Sequence, residues 1–119
     1  MVKYLCVGLT LSLFFGSASS DVSNSQKGEV NHLLKYIRDT NCAIERNGKL
    51  HKGSEAVRHV KEKYDYYKNR IMTTEDFIKY AATKSLMSGR YYLVKCRNRS
   101  SIKTRDWLLQ ELSRVRGKS

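Results

Sequence analysis

Three histidines, three cysteines and one acid-free run of cations are the parts of this 119-residue chain whose side chains could do chemistry. His59 stands one helical turn after Glu55 and one before Lys63, so on a helix the three share an edge. A carboxylate that orients an imidazole, beside a cation that steadies a developing anion, is the grammar of acid and base catalysis. A small secreted hydrolase of ribonuclease type using His59 is the enzyme such an edge would suit. Charged ladders of this spacing also line ordinary helix surfaces, and a non-enzymatic protein is the favoured expectation, with no residue given a catalytic role. His32 and His51 share no metal-ligand spacing with His59 or with a pair of cysteines, so neither a metal nor a cofactor is expected.

The cations are unevenly placed. Lys and Arg number 23 against 11 Asp and Glu, a formal +12. From Asp21 to Val60 seven basic residues face five acidic ones, whereas from Lys61 to Ser119 fifteen face six. Within the second half, Lys84, Arg90, Lys95, Arg97, Arg99, Lys103 and Arg105 follow one another with no acid between them. Such a stretch predicts one contiguous anion-binding patch, with Tyr91 stacking beside it, because clustered positive charge attracts polyanions whatever their detailed chemistry.

The first twenty residues narrow the partners. MVKYLCVGLTLSLFFGSASS has one early lysine, an apolar run from Tyr4 to Phe15, and small residues leading to a cut after Ser20. That is the pattern of a secretory signal peptide. The run is about twelve residues, short of the roughly 20 a membrane span needs. Residues 21–119 are then a single mature domain of 99 residues carrying +11, with no transmembrane segment and a periplasmic or secreted location. Nucleic acid is not expected as the physiological partner; an anionic envelope polymer, a lipid headgroup or a protein is. Cys6 leaves with the leader. The two remaining cysteines, Cys42 and Cys96, are expected to pair, since an even count in an exported chain favours a disulfide over free thiols.

The elements that must position these groups follow from periodicity. Val30, Leu33, Leu34 and Ile37 fall on one face of a first helix. Two short strands surround Asn47-Gly48; a three-residue loop through Lys49 is preferred over a two-residue one, because it gathers Cys42, Ile44 and Leu50 on one face and turns His51 outward. A long helix opens at Gly53-Ser54, capped by Ser54, with Ala56, Val57, Val60, Tyr64, Tyr67 and Ile71 as its apolar stripe. Thr73 to Asp76 begins a shorter helix carrying Phe77, Ile78, Ala81 and Ala82. Arg90 to Cys96 alternates as a strand with Tyr92, Val94 and Cys96 inward, the parity that also points Cys42 at the core. A final helix from Thr104 turns Trp107, Leu108, Leu112 and Val115 inward and ends at Gly117. The expectation is an α+β domain of order α-β-β-α-α-β-α, a short antiparallel sheet packed on helices.

Arg46-Asn47-Gly48, Glu55-Ala56 with His59 and Lys63-Tyr64, Phe77-Ile78, Ser85, Ser88-Gly89-Arg90 with Tyr92, and Trp107-Leu108 occur in that order. In this combination the chain resembles the YfeK-like family of small exported bacterial proteins of unknown function, from about Val30 to Arg116. The resemblance implies an exported α+β domain and no known reaction, ligand or cofactor. It marks Arg46, Asn47, Gly48, Glu55, His59, Lys63, Ser85, Ser88, Gly89, Arg90 and Tyr92 as polar motif positions, expected as turns and as a polar network of Arg46, Glu55 and His59 bracing hairpin to helix. Cys42 and Cys96 also resemble family members that carry both cysteines. The function expected is a basic, non-enzymatic binding module.

Overall fold

A computed structural model describes residues 21–117; the signal peptide expected at 1–20, with Cys6, lies outside the described residues. Helix α1 (Asn24–Asp39) begins where the Ser23 hydroxyl accepts from the Gln26 N–H, and it buries the expected Val30, Leu33, Leu34 and Ile37. Strands β1 (Ala43–Arg46) and β2 (Lys49–His51) form a hairpin, followed by α2 (Gly53–Tyr67), a 3-10 turn at Lys68–Arg70 and α3 (Thr74–Ala81). Strands β3 (Leu93–Lys95) and β4 (Ile102–Lys103) precede α4 (Thr104–Val115). The expected order stands, and β4 adds a two-residue edge strand to it.

The sheet runs β2-β1-β3-β4, with every pair antiparallel. Pairing of Ala43 with Lys95 brings Cys42 and Cys96 to a Cα separation of 4.4 Å, and the two are joined by a disulfide. Ile44 and Val94 are paired neighbours on the buried side, against a helical layer whose fully buried members include Leu33, Ile37, Phe77 and Leu108.

The hairpin corrects the preferred register. Glu45 pairs with Leu50 and Ile44 with His51, so the loop is the two-residue Asn47-Gly48, with φ of 53° and 83°. Both residues in the left-handed region make the turn that matches strand twist, and that preference outweighs gathering one more apolar side chain. Leu50 is left 59% exposed, and His51 shares the face of Ile44 rather than pointing away.

The start of α2 is also shifted from the Ser54 cap. Lys52 holds the cap position, and its N–H donates to Glu55 Oε1 at 3.3 Å. Gly53 meets the end of α1 so closely that a Cβ there would collide with the Ile37 carbonyl oxygen. Helix α3 starts as expected, with Thr73 Oγ1 accepting from the Asp76 N–H at 3.0 Å. In α4, Trp107, Leu108 and Leu112 are buried, but Val115 is 41% exposed. The Leu108–Leu112 row continues to Arg116, which turns to Glu29 of α1 and Glu75 of α3.

Candidate functional site

The Asn47-Gly48 turn lies against the loop that joins α3 to β3. Asn47 Nδ2 donates to Ser85 Oγ at 3.4 Å, and Ser88 Oγ donates to Asn47 Oδ1 at 2.6 Å. Ser85 Oγ also accepts from the Ser88 N–H, and Ser88 Oγ from the Arg90 N–H. Gly89 takes a φ of 73°, which lets its N–H return to the Ser85 carbonyl. Asn47, Gly48, Ser85, Ser88 and Gly89 therefore serve one joint between hairpin and loop. The Arg90 guanidinium lies beside Gly48.

Behind that joint, α2 and the residue just before β3 bring His59, Lys63 and Tyr92 together next to Arg46. Lys63 Nζ donates to Tyr92 Oη at 3.0 Å and to the Lys84 carbonyl at 2.7 Å, while His59 Nε2 lies 3.3 Å from the same hydroxyl. An ammonium can only donate, so the Tyr92 hydrogen is free to go to a neutral His59 Nε2. Burial pushes the His59 and Lys63 pKa values down, and the Arg46 charge pushes both the same way. Burial raises that of Tyr92. No ion pair joins Arg46, His59 or Lys63 to a carboxylate among the described residues. These groups line a cleft of about 380 Å³ with Asn47, Glu62, Ser85, Leu86 and Met87, and the Glu62 carboxylate partly offsets the effect of the cations on His59.

Glu55 stands apart from this cluster. It accepts from the Lys52 N–H and lies 3.8 Å from His51 Nδ1, so the Glu55–His59–Lys63 edge does not give His59 its carboxylate. The imidazole is instead held by a phenol between two cations, an arrangement with no general base oriented by an acid.

The basic stretch does not stay together. Lys84 and Lys103 converge on the Tyr91 ring, at 6.0 and 4.1 Å from its centre. Lys95 Nζ reaches Glu45 at 2.7 Å and Arg90 approaches it at 3.9 Å, which lowers the pKa of Glu45. Arg99 belongs to a separate cavity with His32, Trp107 and Arg114, and Arg97 lies exposed in the loop after β3. Counting along the chain misses Glu45 because it arrives from the neighbouring strand. It also misses Arg70 and Lys79, which with Lys63, Lys84 and Arg105 line a groove of about 640 Å³ containing Tyr67, Tyr80 and Tyr91. Glu75 also lines this groove, and its carboxylate is engaged by Arg116 at 2.6 Å. Lys63, Tyr67 and Leu86 border both groove and cleft, so the two are continuous.

Among the described residues no three His, Cys, Asp or Glu side chains gather where they could hold a metal ion, and no helix is long and apolar enough to cross a membrane.

The chain is 31% identical over 93 residues to the uncharacterised protein YfeK of Salmonella typhimurium, the aligned part covering 77% of each. No solved structure matches it. Residues 24–116, from the first residue of α1 to just past α4, match the model of a family of unknown function, DUF5329, and the chain belongs to that family.

Proposed function

We propose that this protein is an exported, non-enzymatic module that binds an anionic component of the bacterial envelope. The observation that carries the proposal is the groove between α2, α3, the loop after α3 and the start of α4. Five cations, Lys63, Arg70, Lys79, Lys84 and Arg105, line it, and its carboxylate, Glu75, is already held by Arg116. Arg105 stands 4.0 Å from Asp106, and the other four cations have no ion pair among the described residues, so together they form a field that external anions can complete. Tyr67, Tyr80 and Tyr91 supply flat walls on which an anionic polymer or headgroup can pack. The leader pattern at 1–20 and the Cys42–Cys96 disulfide support an oxidising, exported setting.

Titration of the mature chain with lipopolysaccharide at increasing salt is the direct test. Neutralising several anionic groups releases counterions, so affinity should fall steeply from low to physiological salt. The double variant Lys79→Glu and Arg105→Glu should weaken binding by about tenfold or more at low salt, each reversal costing on the order of 1 kcal/mol. Binding that ignores salt, or no binding at all, would refute the proposal.

A further inference from the structure

The loop between α3 and β3 presents a feature that anion binding alone does not require. From Thr83 to Tyr92 the chain leaves the body and returns, closed at its neck by the Tyr92 N–H to the Thr83 carbonyl at 3.0 Å and the Ser85 N–H to the Arg90 carbonyl at 2.9 Å. At the tip, Leu86 and Met87 are 69% and 98% exposed. They are held there by structure: the Ser85, Ser88 and Asn47 bonds brace the turn from below. Tyr66, 78% exposed, lines the same cleft from α2. Apolar side chains fixed in water forgo the transfer free energy that burial would return, so a tip built this way suits a surface that can cover it.

The surroundings of the tip say what that surface carries. Arg46 and Lys63 line the cleft at its base beside one carboxylate, Glu62, with which neither forms an ion pair, and the exposed Lys84 and Arg90 flank its neck, Arg90 standing 3.9 Å from Glu45. An apolar tip with cations at its base and neck is complementary to the boundary of an anionic bilayer, where phosphates lie just outside the acyl chains. A soluble polyanion would satisfy the cations and leave Leu86 and Met87 in water.

We propose that the Leu86–Met87 tip and the Arg46–Lys63 cleft form a docking site for anionic phospholipid at a bilayer surface, the phosphate meeting the cations and the tip entering the acyl boundary. This narrows the anionic-component reading above to lipid and rests on it.

The experiment compares the mature chain with its Leu86→Ser/Met87→Ser double variant against two probes. One is vesicles of phosphatidylcholine with increasing phosphatidylglycerol; the other is inorganic polyphosphate, which has the charge and no acyl chain. Both substitutions are at exposed positions, and circular dichroism with thermal melting checks that the fold is retained. Wild-type protein should sediment with phosphatidylglycerol vesicles and not with pure phosphatidylcholine. The double variant should lose vesicle affinity by about tenfold or more, as loss of two apolar anchors requires, with its polyphosphate affinity unchanged. Tryptophan emission of Met87→Trp should shift to the blue on vesicles alone.

Equal vesicle binding by wild type and double variant would overturn the lipid site. So would polyphosphate binding without vesicle binding, which would leave the broader anionic function standing. Binding to neither probe, and to no lipopolysaccharide, would remove both. Loss of a specific protein contact in the double variant, with no vesicle binding by wild type, would assign the tip to a protein surface and overturn the lipid proposal as well.

Discussion

Two polar clusters in this molecule draw on the same kinds of side chain and end in opposite electrical states. Where α1, α3 and α4 meet, Arg116 takes both oxygens of Glu29 at 2.7 Å and one of Glu75 at 2.6 Å, and Thr74 adds a hydroxyl to Glu29 at 2.7 Å. That arginine draws Glu29 down to about 2. Between the hairpin, α2 and β3, Arg46, His59 and Lys63 share a cleft, and burial together with mutual repulsion lowers the pKa of His59 and Lys63. The first cluster is closed by opposite charge and therefore favours folding. The second gathers an excess of positive charge, three basic groups against the single carboxylate of Glu62 with no ion pair between them, which opposes folding and is the condition the proposed binding requires.

The largest effect tests what keeps the second cluster in place. Cys42 and Cys96 tie β1, which carries Arg46, to β3, which follows Tyr92, across 54 residues of sequence. Removing the link in a Cys42→Ser/Cys96→Ser variant should cost about 4 kcal/mol on the chain-entropy model, read by denaturant unfolding. A loss below about 1 kcal/mol would show that the strands hold the cations together unaided. Next comes Arg116→Met, which leaves Glu29 and Glu75 facing each other without their cation. It should cost about 2–3 kcal/mol and leave lipopolysaccharide affinity unaltered. If affinity falls as well, the division between a structural and a binding cluster fails.

Acid separates the two clusters along the pH axis. Unfolded His59 takes a proton near its ordinary value of 6.5 and the folded residue only below it, so stability begins to fall as pH drops through the ordinary value. Glu29 and Glu111 titrate at about 2 in the folded protein against an ordinary 4.5, the latter held down by Arg114 and His32. Their contribution is complete above 4.5 and is lost as pH falls toward 2. His59→Gln should flatten the upper limb and Glu29→Gln/Glu111→Gln the lower one. A single limb insensitive to either change would contradict the assignment.

Much of this architecture is visible in local pattern, and little of the charge pairing is. The face of α1 and the inward parity of Cys42 and Cys96 follow from spacings of a few residues. The hairpin register does not, because one apolar side chain, Leu50, argued for a loop that the backbone of Asn47-Gly48 rejects. Strand β4 has two residues and so no period to detect. Arg116 finds Glu29 across 87 positions, and Glu45 enters the basic stretch through strand pairing; a scan along the chain contains neither distance. Of the cationic cleft, the family resemblance marks Arg46, His59, Lys63 and Tyr92, whereas residue spacing links only His59 and Lys63, to a carboxylate that folds elsewhere.

The smallest predicted effect discriminates best. Lys63→Met keeps the length of the side chain and removes its charge. It gives up two hydrogen bonds, to Tyr92 Oη and to the Lys84 carbonyl, and relieves the repulsion from Arg46 that helps depress the lysine. Deleting two hydrogen bonds at about 1 kcal/mol each costs about 2 kcal/mol, while burying a thioether in place of a half-buried ammonium returns about half of that. Unfolding free energy should therefore fall by only about 1 kcal/mol, less than the loss at Arg116, where the partners are opposite charges. Anion affinity should fall several-fold at low salt, since Lys63 borders both the groove and the cleft. A large loss of stability would place Lys63 with Arg116 among the structural cations and leave Arg46 as the cleft's principal charge.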